Sequence, residues 1–342
     1  MRDFFVVFQG EKMTKYLEKK GLVWYTLPKG ADDMFDKTKY KVKRLFSDEG
    51  FENGFNVLPV KDVPNRMIPV GKFQYPESKG EPTWMIAAWY SNRCLIEDRK
   101  DVGDPYVLTD DEDTKRVTYN PQEKSVTLQM NAQNIYKGET TVPKFWPHLL
   151  IEQRNICDYK NMPEGDEKKF YSANADKITV EFDMRINEYI PTTNPEGYNS
   201  CQFVAFLYLN LVDANWIYLG VSPFVDNWII GHYFKKETGG GNHIYALSTE
   251  TIFGSVENSF NLPDGGVLVG EWRHVEVDLT PHIDSIMEAA NNELIFGRPV
   301  TRDEFYFSGT NMGFEIHGNI SCTVEIKNYN LVSYIKKDKE NV

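Results

Sequence analysis

Lys177-Ile178-Thr179-Val180-Glu181-Phe182-Asp183-Met184-Arg185-Ile186-Asn187 alternates apolar and polar residues without a break. A two-residue period describes a strand with one face on a core and the other in water. The next run, Cys201 to Leu211, keeps the period and changes its content. Phe203, Ala205, Leu207, Leu209 and Leu211 form one side, while Gln202, Val204, Phe206, Tyr208 and Asn210 form the other. Trp216 and Tyr218 continue the second kind of side, opposite Ile217, Leu219 and Val221. Consecutive strands with one aliphatic side and one mixed aromatic and polar side predict a β-sandwich carrying a lined face.

The flanking sequence agrees. Trp84–Tyr90, Val126–Met130, Leu149–Arg154, Trp272–Leu279, Met312–Ile316 and Ser321–Tyr334 all read as strands, the second of them running on toward Tyr136. Ile283, Ile286, Met287 and Ala290 make the stripe of a short helix, with Thr280 as its N-cap and Pro281 at its first position. Many strands, long turns and one or two short helices predict an all-β antiparallel sandwich of jelly-roll type. The domain expectation is an N-terminal extension at 1–50, a sandwich at 51–336 and a tail at 337–342. Within the extension, Phe4–Phe8 and Leu22–Leu27 read as strands and Glu11–Lys20 as a helix.

Composition narrows the partners. The net charge of −12 argues against nucleic acid, which is held by clustered Lys and Arg. No apolar run reaches the length of a membrane span, and the five-residue apolar run at Phe4–Phe8 is short for a signal peptide. The expectation is therefore a cytoplasmic protein that meets neither membrane nor nucleic acid; the oligomeric state is left open. Cys94, Cys157, Cys201 and Cys322 contain no CxxC pair, so they read as free thiols rather than zinc ligands. No cofactor is implied. The acidic run Asp110-Asp111-Glu112-Asp113 is a candidate for structural calcium but lacks a ligand register, so a solvated loop is the competing reading.

The strand Lys177–Asn187, the strand Glu271–Leu279 and the terminal Glu325-Ile326-Lys327-Asn328-Tyr329-Asn330-Leu331 together resemble the concanavalin A-like lectin/glucanase superfamily. The resemblance covers roughly residues 84–335 and is one of pattern. It implies an oligosaccharide or polysaccharide as partner. Laminarinase-like glucanases of that superfamily carry Glu-x-Asp-x-Glu, which Glu276-Val277-Asp278 and Glu181-Phe182-Asp183 approach without the last Glu. Solvated strand faces are the plain reading of both. Alginate-lyase-like members present Arg, Gln, His and Tyr on successive strands. Arg154, Gln202 and Tyr233-Phe234-Lys235 stand in that order, without the His of the family's Gln-Ile-His segment. The resemblance then implies Arg154 on a uronate carboxylate and Tyr233 as base or acid, with Glu152 beside them.

The residues themselves favour binding. Sugar C–H patches stack on aromatic rings and hydroxyls take polar partners. Gln202, Phe206, Tyr208, Asn210, Trp216 and Tyr218, with Trp228 and His232 beyond them, supply that mixture. The readings carried forward are a carbohydrate-binding or carbohydrate-processing sandwich, an oligosaccharide hydrolase or polysaccharide lyase, and a non-catalytic interaction module. A second hydrophobic layer covered by the N-terminal extension would give the same residues.

Overall fold

A computed structural model describes residues 35–60, 67–136, 147–191, 200–212, 216–226, 231–236, 243–248 and 269–337. The elements read into Phe4–Phe8, Glu11–Lys20 and Leu22–Leu27 lie outside these residues. Sixteen strands are described, numbered in chain order, and they form two sheets.

The seven-stranded sheet runs β14 (Arg273–Asp278), β9 (Lys177–Pro191), β16 (Ile320–Lys336), β7 (Ser125–Asn131), β6 (Lys115–Asn120), β5 (Val107–Thr109), with β1 (Tyr40–Arg44) also on β16. The nine-stranded sheet runs β12 (Gly231–Lys236), β13 (His243–Ser248), β11 (Trp216–Asp226), β10 (Ser200–Leu211), β15 (Phe305–His317), β8 (His148–Arg154), β4 (Trp84–Ala87), β2 (Phe55–Val57), β3 (Gly71–Phe73). The sandwich is as expected and nearly all antiparallel. Two pairs, β11 with β13 and β2 with β4, are parallel. β1 belongs to the segment read as an extension, and Leu45 and Phe46 after it join the main core.

Alternation decides the packing. Ile178, Val180, Phe182, Met184 and Ile186 of β9 are all fully buried, and so are Phe203, Ala205, Leu207 and Leu209 of β10. Leu219, Val275 and Val324 complete the expected core. Each of these side chains larger than alanine contributes about 1.5–3 kcal/mol on leaving water.

Three local departures have physical causes. β7 stops at Asn131, and Ala132–Tyr136 forms a short helix, α1. Ala132 and Ile135, three residues apart, place their side chains in the core. β16 keeps Cys322, Val324 and Ile326 inward, then bulges between Lys327 and Asn330. Asn328 takes the left-handed conformation there (φ 58°), which Asn tolerates better than most residues. The bulge resets the parity, so Tyr329 and Leu331 turn inward. The helix α3 (Thr280–Asn292) follows α2 (Asp166–Tyr171) in the chain, and its N-cap position is Leu279 rather than Thr280. Asp278 Oδ1 accepts the Thr280 N–H at 2.9 Å, while Thr280 Oγ1 accepts the Ile178 N–H at 3.0 Å. The expected stripe of Ile283, Ile286, Met287 and Ala290 is buried.

Candidate functional site

Cross-strand partners share a face, so the registers of β8, β15, β10 and β11 assemble the outer face of the nine-stranded sheet row by row. One row is Arg154, Gly309, Tyr208, Tyr218. The next is Met85, Glu152, Asn311, Phe206, Gly220. A third is Leu150, Gly313, Val204, and a fourth is His148, Glu315, Gln202. The central strand β15 thus shows Gly309, Asn311, Gly313 and Glu315 outward. Two glycines and an asparagine make a low floor between the larger residues of β10 and β8. The glycines are sterically required. A Cβ at Gly309 would lie 2.3 Å from the Gln153 carbonyl oxygen, and one at Gly313 would lie 2.1 Å from that of Leu149.

The polar groups of the face are held by one another. Glu152 is fully buried. Arg154 Nε donates to its Oε2 at 2.7 Å, and Trp89 Nε1 donates to Oε1 at 3.4 Å. The Arg154 guanidinium lies 5.2 Å from the centroid of the Tyr208 ring, above the gap left by Gly309. Gln202 Nε2 donates to Glu315 Oε2, and Ser308 Oγ donates to Asn210 Oδ1 at 2.9 Å. Burial holds His148 below its ordinary imidazole value, leaving it neutral at pH 7. Its ring meets Tyr90 edge to face at 5.4 Å. Asn311 Oδ1 is buried and accepts no hydrogen bond among the described residues. Gln202 and Tyr208 are buried, whereas Phe206, Asn210, Asn311 and Arg154 are half-buried. Partial exposure on this face is thus confined to Phe206, Asn210, Asn311 and Arg154, with the Asn311 amide oxygen itself shielded. Beside Arg154, where β8 ends in left-handed Asn155 (φ 53°), a cavity of about 490 Å³ opens, lined by Arg44, Ser47, Thr83, Gln153 and Tyr171 among others.

The structure brings Glu152, Arg154, Gln202, Phe206, Tyr208 and Asn210 onto this face. The backbone positions of Trp216 and Tyr218 fall in the rows of Asn210 and Tyr208. Position 233 falls in the row of Phe206 and Glu152, and position 232 in the inward row of Ala205. Trp228 lies outside the described residues. Sequence reasoning missed Trp89, Asn311 and Glu315 as well as the glycine floor. The alternation Gly309-Thr310-Asn311-Met312-Gly313 was the available signal.

The residues of the catalytic alternatives, and the second carboxylate of this face, fall at separate places. β12, which carries position 233, stands five strand spacings from β8, roughly 24 Å along the sheet at 4.8 Å each. Glu315 pairs four residues along β15 from the partner of Glu152, which is about 13 Å. A retaining glycosidase needs its carboxyl groups about 5–5.5 Å apart and an inverting one about 6.5–9.5 Å. Glu276 and Asp278 lie on the other sheet's outer face, where Glu276 pairs with Glu181 and His274 with Asp183. His274 Nδ1 is 2.7 Å from Asp183 Oδ1, Asn328 Nδ2 donates to Asp183 at 2.6 Å, and Thr179 Oγ1 donates to Glu181 at 2.9 Å. These are the ion pairs and hydrogen bonds of a solvated strand face.

The acidic loop does not fit calcium. Asp110 is fully buried and accepts the backbone N–H groups of Glu112, Thr114 and Lys115 as well as the Thr114 hydroxyl. Asp113 pairs with Lys100 and Arg116, and Asp111 and Glu112 with Arg93. The buried Lys115 ammonium lies 3.9 Å from Asp110, so every acid of this run faces a side-chain cation. Among the described residues no helix is long and apolar enough to cross a membrane.

No family model matches this chain, and no curated protein matches it in sequence. Solved structures similar to it include a family 12 xyloglucanase from Bacillus licheniformis, at 9% identity and a TM-score of 0.35 over 66% of this chain and 95% of that one. A family 11 xylanase from Neocallimastix patriciarum aligns at 8% identity and a TM-score of 0.35, over 66% of this chain and 89% of that one. A family 30 carbohydrate-binding module aligns at 14% identity and a TM-score of 0.27, over 72% and 81%. The sandwich itself stands on the pairing of its sixteen strands.

Proposed function

We propose that this protein is a carbohydrate-binding β-sandwich that takes an oligosaccharide or polysaccharide on the outer face of its nine-stranded sheet. One observation carries the reading. Asn311 Oδ1 is a buried acceptor with no donor among the described residues, beside the half-buried ring of Phe206 in the same row. Leaving such an acceptor unpaired costs about 1–3 kcal/mol. A sugar would supply what is missing once the Asn311 side chain turns its oxygen outward, a hydroxyl donor next to a C–H patch that stacks on an aromatic ring. The Arg154–Glu152 pair and Asn210 add fixed hydrogen-bonding groups on either side. The widely spaced carboxylates support binding over hydrolysis by this face.

A glycan array followed by titration calorimetry tests the reading. Phe206→Ala and Asn311→Ala should each weaken the best glycan about 10-fold or more, as loss of one stacked ring or one buried hydrogen bond does, with unchanged circular dichroism. Unchanged affinity in both folded variants, or no glycan bound at millimolar concentration, refutes it. Reducing-end and unsaturated-product assays on the same glycans report any turnover.

A further inference from the structure

Next to this face lies a cluster with a different chemistry. Lys115 opens β6 with its side chain wholly out of solvent. Its Nζ donates to Ser91 Oγ at 2.5 Å, to the Arg93 carbonyl at 2.8 Å and to Thr114 Oγ1 at 3.1 Å. Thr114 Oγ1 donates in turn to Asp110 Oδ2 at 2.7 Å. The chain of contacts runs from a hydroxyl to an amine, and from the amine to a group that orients it. That is the arrangement by which a weak nucleophile is activated. Ser91 is half-buried while Lys115 is fully buried, so the serine stands nearer to solvent than the amine. Tyr90, immediately before it, is held in the left-handed region at φ 56°. That conformation is uncommon for an aromatic residue, and such strain gathers at functional sites.

We propose that Ser91 is a catalytic nucleophile and Lys115 its base, forming a Ser–Lys centre that hydrolyses carboxylic esters. Ser91 Oγ bonds to the acyl carbon while its proton passes to the neutral Lys115 amine. The carbonyl re-forms, the bond from acyl carbon to alkoxide oxygen breaks, and the Lys115 ammonium returns the proton to the departing alcohol. Water then attacks the acyl-serine, again giving a proton to Lys115. The carboxylic acid leaves, and the proton on Lys115 returns to Ser91 Oγ. Burial lowers Lys115 from 10.5 to about 8, so the neutral amine is present in mildly alkaline solution. Trp89, two residues before Ser91, donates to Glu152 of the candidate face. An O-acylated saccharide is therefore the ester of fitting chemistry; this clause alone rests on the proposed function.

The test uses an alkyl fluorophosphonate, whose phosphorus bonds to an activated serine oxygen as fluoride leaves and the hydroxyl proton passes to the base. The full-length protein is labelled between pH 6 and 10, and the modified residue is mapped by peptide mass spectrometry. Label is expected on Ser91, with a rate that rises about tenfold per pH unit and levels near pH 8, as titration of one base requires. Ser91→Ala should take no label there. Lys115→Arg, which has no amine to deprotonate, should label at least 100-fold more slowly at pH 8. Should Lys115→Arg fail to fold, the wild-type pH profile decides by itself. Absence of label on Ser91 at pH 9 in protein with native circular dichroism overturns the proposal, as does a labelling rate without a plateau. The probe carries no sugar, so a failure to bind glycans leaves this result standing, and the reverse also holds.

Discussion

Raising the pH should stabilise the wild-type protein relative to a Lys115→Met variant. The lysine is buried, and desolvation lowers it from 10.5 to about 8 in the fold. Below pH 8 it is protonated in both the folded and the unfolded chain. Between pH 8 and 10.5 the unfolded chain binds a proton that the folded one does not. Stability rises with pH wherever the unfolded state binds more protons. The shift of about 2.5 units therefore returns up to about 3 kcal/mol across that window, at 1.36 kcal/mol per unit. Acids pull the other way. Burial pushes Tyr119 up to about 12 and Cys157 up to about 11. A raised acid stays protonated in the fold after its unfolded counterpart ionises, so stability falls above about pH 9–10. Both proteins share that loss. The informative quantity is the difference between their unfolding free energies, measured in urea at pH 7, 8, 9 and 10. It should move in favour of the wild type by about 1–3 kcal/mol between pH 8 and 10. A difference that stays flat or reverses sign of slope would show that Lys115 is not desolvated as the structure places it.

Phe182→Ala should destabilise by about 3–5 kcal/mol, the cost of a cavity at a fully buried aromatic ring, read as a lower urea midpoint at constant m. Gly309→Ala should cost at least about 1–3 kcal/mol, because its Cβ meets a backbone carbonyl in the middle of the sheet; a neutral effect would contradict the Tyr208–Gly309–Arg154 row. Glu152→Gln leaves Arg154 without its buried carboxylate and should cost about 1–3 kcal/mol, with a smaller loss if water reaches the half-buried guanidinium.

The two-residue period was enough to read the sandwich and its core, because burial on one face is a local property of each strand. Ile178, Phe182, Phe203, Leu207, Leu219, Val275 and Val324 were placed in the core from parity alone, and all are fully buried. Parity also put Glu152 and Arg154 on the side of β8 opposite Leu149 and Ile151. Register was not legible. Nothing local states that Asn311 pairs with both Phe206 and Glu152, because their strands are separated by long stretches of chain. The parity change at Asn328 depends on a left-handed residue that an alternating pattern does not announce. The helix at Ala132–Tyr136 replaces an expected strand because two apolar residues three apart serve a helix as well as they serve a strand end. The Ser91–Lys115 contact joins a loop to a strand start 24 residues later, so neither residue has a signature by itself.

The two outer faces of the sandwich differ in the residues they carry. On the seven-stranded sheet, outward charges pair across strands and stay partly in water. Arg185 and Lys327 both lie over the Trp272 ring, at 4.9 and 4.4 Å, and Arg185 also reaches Glu325. Arg185 keeps partial exposure while Glu325 is buried, so this face also holds a carboxylate out of water. The outward positions of the nine-stranded sheet likewise carry a buried carboxylate, together with an amide oxygen that has no partner among the described residues and two glycines of β15. Each of these is unfavourable for folding. Burying Glu152 removes hydration that one guanidinium and one indole N–H return only in part. Gly309 and Gly313 forgo side-chain packing in a strand interior. Neither position admits a side chain, because a Cβ there would meet a carbonyl of β8. The Asn311 oxygen, which stands between them on β15, is therefore the physical argument for placing the ligand there.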